Sequence, residues 1–112
     1  MKLNAVVHAS SEPLEHEPVP ADQSLGGTPH TGVAELGRFG GLDVGVWEMT
    51  PGVMSDVEAD EVFVVLSGAA TVDFDDGTPP LMLGPGDVVR LAEGARTVWT
   101  VTETLRKVYL TT

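Results

Sequence analysis

Glu61-Val62-Phe63-Val64-Val65-Leu66-Ser67-Gly68, with Gly84-Pro85-Gly86-Asp87 downstream, is the stretch whose reading decides the fold. The run to Ser67 is dominated by valine and phenylalanine, which favour strands, and a glycine closes it. Side chains alternate across a strand. One face therefore carries Glu61, Phe63 and Val65, and the other carries Val62, Val64 and Leu66. Both faces are apolar, so the strand is expected to be covered on both sides. Gly84-Pro85-Gly86-Asp87 reads as a tight turn between two further strands.

The same grammar extends outward from this stretch. β-type runs cover about 32–38, 42–50, 69–74, 81–83, 87–91, 97–101 and 106–110. Gly40-Gly41, Pro51-Gly52, Asp75-Asp76-Gly77 and Glu93-Gly94 punctuate them. Short strands at this spacing predict an all-β sandwich or barrel. No segment from Thr31 onward keeps a helical apolar period, and the stretch 54–60 reads as an acidic loop leading into the strand at Glu61. Residues 1–30 differ. Pro13, Pro18, Pro20 and Pro29, mixed with Glu12, Glu15, Glu17 and Asp22, predict an extended arm with one early strand at Leu3–Val7. The expected organisation is thus an arm over 1–30 and a β-barrel domain over 31–112.

Composition narrows the function classes. The 112 residues include 17 acidic and 6 basic ones, a formal charge of −11, and no cysteine. Nucleic acid and anionic membranes are excluded as partners, since nothing basic offsets the negative field. Without cysteine there is no disulfide framework, thiolate metal site or thiol nucleophile. No stretch has the apolar length of a membrane span, and the N-terminus does not read as a signal peptide. A cytoplasmic location is expected. No Gly-x-Ser-x-Gly elbow or phosphate-binding loop is present.

Pro51-Gly52, Glu61 and Gly68 together resemble the first motif of the cupin superfamily, and Gly86-Asp87, Gly94 and Thr97 resemble the second. The opening Trp47-Glu48 to Pro51-Gly52 and the close Trp99 to Glu103, then Arg106-Lys107-Val108-Tyr109, are similar to a narrower group, the small single-domain cupins akin to ureidoglycine aminohydrolases. The resemblance implies a jelly-roll barrel and an interior pocket. It says less about chemistry, because cupins host many activities. It also implies a site for a metal held by histidines, and here the sequence departs from the pattern. His8, His16 and His30 all lie in the arm, Thr97 stands at the third-histidine position, and only the carboxylate of Glu61 survives. One carboxylate does not replace imidazole donors. No transition metal and no other cofactor is expected. Oxygen ligation of a hard cation by the acids at 56–61 is an alternative.

The expected pocket centres on Glu61 and Tyr109 as candidate acid–base groups, with Trp47, Phe63, Arg90 and Trp99 as ligand-binding residues. A desolvated carboxylate favours its neutral form and suits proton transfer. Two roles for Glu61 stand side by side: a proton shuttle, or a structural partner of Arg90, Arg96, Arg106 or Lys107. Three functions remain open: binding of a small metabolite, metal-independent catalysis through Glu61, and metal-dependent catalysis of the aminohydrolase type. The second apolar face of the strand at Glu61 further implies a homodimer, in which another subunit covers what the arm leaves bare.

Overall fold

The computed structural model describes residues 1–112 and is all-β. Nine antiparallel strands form one curled sheet, a half-barrel of the jelly-roll type. Two short strands lie in the N-terminal stretch, β1 (His16–Pro18) and β2 (Ser24–Gly26). The others are β3 (His30–Phe39), β4 (Leu42–Met49), β5 (Gly52–Val57), β6 (Glu61–Phe74), β7 (Leu81–Leu83), β8 (Val88–Leu91) and β9 (Arg96–Thr111).

The spine is the pair β6–β9, in register from Glu61 opposite Thr111 to Phe74 opposite Thr97. Along its other edge β9 pairs with β4 through residues 105–111 and with β5 through residues 96–101. Strands β8 and β7 flank the far edge of β6. The core lies on the concave side, where Phe63, Val65, Val72, Leu91, Trp99 and Leu105 are fully buried.

The strand parity read at Glu61–Ser67 holds. Phe63 and Val65 are buried, whereas Val62 on the opposite face is 38% exposed. Three sequence expectations change. The runs 61–67 and 69–74 are one strand, as are 97–101 and 106–110. Their junctions are register shifts between β6 and β9, which bend the strands without ending them. The acidic stretch before Glu61 is mostly strand: β5 runs to Val57 with Asp56 opposite Thr97. Tertiary pairing overrides the weak propensity of Ser55 and Asp56. Finally, Leu3–Val7 forms no strand.

The N-terminal stretch does more than line an edge. β1 extends the sheet beside β3, and β2 extends it beside β5. Upstream, the chain crosses the convex face, where Arg106 Nη1 donates to the carbonyls of Ala9 and Glu12 at 2.9 and 2.8 Å. Beneath it Val46 has no exposed surface.

Gly68 sits at the bend of the spine with φ +95°, and a Cβ there would lie 2.1 Å from the Thr104 carbonyl oxygen. Gly77 has φ +86° but open space around it. Gly77→Ala is expected to cost about 1 kcal/mol from backbone conformation alone. Gly68→Ala adds a backbone clash and should cost well over ~2 kcal/mol. Urea denaturation of the two variants tests this; equal losses would show that the bend tolerates a side chain.

Candidate functional site

A cavity of about 360 Å³ opens on the concave side of the sheet. Register explains its composition. On the concave face Trp47 of β4 stands opposite Lys107 of β9, which stands opposite Val65 of β6. The next row is Gly45, Tyr109 and Phe63, and the one beyond places Thr111 opposite Glu61. From β5, Met54 faces Trp99 and Asp56 faces Thr97. Glu58 follows directly after β5, with its backbone N–H donating to the Ala95 carbonyl at 2.9 Å.

At the centre is Lys107, whose side chain is only 6% exposed. Its Nζ donates to Glu61 Oε2 at 2.8 Å. It also lies 4.2 Å from the ring centroid of Phe63, 4.6 Å from Trp47 and 5.0 Å from Trp99. A carboxylate and three aromatic faces thus compensate the desolvation of the ammonium. The rings pack on one another, with Trp99 centroids 5.6 Å from Trp47 and 5.8 Å from Phe63.

Glu58 is the second buried charge, 9% exposed. Its Oε2 accepts from Thr97 Oγ1 at 2.7 Å and from the Trp99 indole N–H at 3.0 Å. Thr97, at the position where the resemblance implies a metal-binding histidine, holds a carboxylate instead. Neighbouring Asp56 has its carboxyl raised above the usual range, first by burial and then by the charge of Glu58. Tyr109 has its phenol raised as well, by burial and then by Glu35, Glu61 and Asp43. A phenol so shifted stays neutral at physiological pH. The Tyr109 hydroxyl packs over Gly45, where a Cβ would lie 2.3 Å from it.

The structure brings together Glu61, Tyr109, Trp47 and Trp99 around the cavity, with Phe63 beneath Lys107. Arg90 stands apart. Its side chain is 59% exposed and pairs with Asp60 at 3.1 Å on the outer side of β8. Of the basic partners considered for Glu61, the structure selects Lys107. In the sequence Asp56 and Glu58 stand only as oxygen ligands for a hard cation and Lys107 only as one basic partner of Glu61; the structure adds all three to the cavity lining. Lys107 was legible in retrospect: it shares strand parity with Tyr109 and so must face inward. The side chains that line the pocket offer a transition metal no imidazole or thiolate donor. No group of three or more His, Cys, Asp or Glu side chains is arranged to hold one, and Glu61 is engaged by an ammonium.

The model of the EutQ-like cupin domain matches residues 36–109. Among solved structures, a DUF861-family protein of unknown function from Pseudomonas syringae is similar at TM-score 0.76 and 27% identity. The match covers 91% of this chain and 45% of that one, so this chain spans less than half of that relative. A Rhizobium leguminosarum protein of unknown function is similar at TM-score 0.65 and 23% identity, covering 72% of this chain and 79% of that one. The EutQ protein of Clostridium difficile is similar at TM-score 0.63 and 18% identity, covering 74% and 68%. The last two show the fold alone. No curated protein matches.

Two predictions follow from the charges. The folded state raises the pKa of Asp56, so it favours the protonated form. That contribution is fully present below the unfolded value of 3.8 and is lost as pH rises through the folded value. Asp56→Asn should therefore raise the melting temperature at pH 7 and lose that advantage near pH 3; a melting temperature lowered at pH 7 would contradict the assignment. Glu61→Gln strands a buried ammonium and should cost about 3 kcal/mol, the lower end for a broken buried pair because the aromatic faces remain. Combined with Lys107→Met, the loss should fall short of the sum of the single losses by more than ~1 kcal/mol. Additive losses in a denaturation cycle would show that the pair is not coupled.

Proposed function

This chain belongs to the EutQ-like cupin family, and from that premise we propose that it binds a small metabolite in the concave pocket without a transition metal. The observation that carries this reading is the self-contained Lys107–Glu61 pair at the base of the cavity. Lys107 supplies a cation beside Glu61, the one carboxylate of the resembled metal-binding motif that this chain retains. The cavity volume falls within the range of small-ligand sites. Polar groups converge on an apolar wall of Trp47, Trp99 and Met54. A second reading, metal-independent proton transfer, is favoured by Asp56, whose raised pKa shares the cavity with Glu61 and Tyr109. An aminohydrolase of the metal-dependent type finds the least support in these residues.

The test is extraction of untagged protein, with mass spectrometry of the released small molecules and elemental analysis of the same sample. The expected outcome is an organic ligand approaching one per chain, with no stoichiometric zinc, iron, nickel or manganese. One equivalent of such a metal would overturn the reading. Hydrogen–deuterium exchange into the ligand catalysed by wild type but not by Asp56→Asn would move the assignment to the proton-transfer reading.

We propose also that the protein is a homodimer. The N-terminal stretch lies against β3 at Gly32 and Gly37 and against β9 at Arg106. Farther along, Val62 is 38% exposed and Val88 is 69% exposed. Val88 stands opposite Val64, and Val62 stands opposite Leu110. A second copy burying this patch removes an apolar surface that solvent would otherwise hold. Light scattering at micromolar concentration should give twice the mass of 11.8 kDa, and Val62→Asp should halve it. A monomeric wild type would refute the dimer.

A further inference from the structure

We infer that the ligand of this pocket is a small organic cation, a protonated amine whose ammonium sits between Asp56 and Glu58 with its carbon chain against Trp47. The inference rests on the proposed binding role of the cavity and specifies the chemistry of the occupant.

The charge balance of the pocket is the starting point. Four charged side chains line it: Asp56, Glu58, Glu61 and Lys107. Lys107 and Glu61 neutralise one another at 2.8 Å. Asp56 and Glu58 remain, and neither forms an ion pair with any basic side chain of the protein. Buried carboxylates are ordinarily paired. Glu58 is more than nine-tenths buried, yet its two side-chain hydrogen bonds come from neutral donors and both end on Oε2. Oε1 accepts none. The Thr97 hydroxyl and the Trp99 indole hold this carboxylate in one orientation on the cavity wall, with half its acceptor capacity unused.

Asp56 lines the same cavity, and its carboxyl is raised first by burial and then by Glu58. The charge of Glu58 acts on it directly, and the ammonium of Lys107 offsets this only in part. A cation placed between the two carboxylates would relieve that repulsion. Such a cation is organic rather than metallic, because no three acidic or imidazole groups converge to coordinate an ion. The neighbouring wall has the matching chemistry. Trp47 is partly exposed, and Met54 and Val19 supply apolar surface for a short alkyl chain. An anionic ligand would face two unpaired carboxylates, with the one local cation already engaged.

The protein contains two tryptophans, Trp47 and Trp99, and both line the cavity, so their fluorescence reports its occupancy. The experiment titrates the full chain with n-butylammonium, n-butanol and butyrate in about 0.15 M salt, which screens the general attraction of an acidic protein for cations. The expected result is saturable quenching by n-butylammonium, with the two isosteres at least tenfold weaker. Glu58→Gln and Asp56→Asn should each weaken the ammonium at least tenfold while leaving the circular dichroism spectrum unchanged. If Glu58→Gln fails to fold, Asp56→Asn alone decides. Saturable binding of butyrate or butanol in preference to the amine would overturn the inference while leaving the pocket a binding site. Tighter saturation by manganese or magnesium than by the amine would overturn it in favour of a metal. Absence of any saturable response would overturn both the inference and the binding role on which it rests.

Discussion

The buried ammonium of Lys107 is the constraint around which the concave side of this protein is arranged. Removing a lysine side chain from water costs several kcal/mol unless a carboxylate and further polar or π contacts replace the lost hydration. Here Glu61 and the faces of Phe63, Trp47 and Trp99 together supply that replacement. These residues come from β4, β6 and β9, so the charge ties three strands to one point. The aromatic residues that look like ordinary core have an additional electrostatic role. Each ring presents a face to the ammonium while packing in the core.

That arrangement depends on the spine. Strands β6 and β9 run the length of the sheet, but a straight pair would leave the concave side flat. The shifts near Gly68 and Glu103 bend both strands, and the absence of a side chain at Gly68 lets the backbone of Thr104 approach. Beyond the bend, β5 replaces β4 as the neighbour of β9. This exchange brings Asp56 and Glu58 to the same cavity as Lys107 and Glu61. Backbone geometry at one glycine thus joins the two halves of the cavity.

The convex side follows a different logic. Arg106, one residue from Lys107, points the other way and anchors the N-terminal stretch through the carbonyls of Ala9 and Glu12. Its Nε also donates to Glu48 Oε1 at 3.1 Å, while His16 meets the other oxygen of Glu48 at 2.6 Å. Adjacent basic residues on one strand therefore serve opposite faces: Lys107 organises the pocket, and Arg106 fastens the cover.

By itself the sequence determined the all-β class, the inward parity of Phe63 and Val65, the turns at glycine and the lack of histidine donors beyond the arm. These follow from local stereochemistry: strand side chains alternate, and glycine permits turns that other residues resist. It also marked Glu61, Tyr109, Trp47 and Trp99 as pocket residues. Only the tertiary structure decided that Lys107 is the partner of Glu61, that Arg90 lies outside, that Asp56 belongs to a strand, and that Glu58 is buried without a cation. Each of those outcomes depends on register between strands far apart in the chain. A side chain's parity gives its face, but its partner across the sheet is set by bends and pairings that no local pattern encodes.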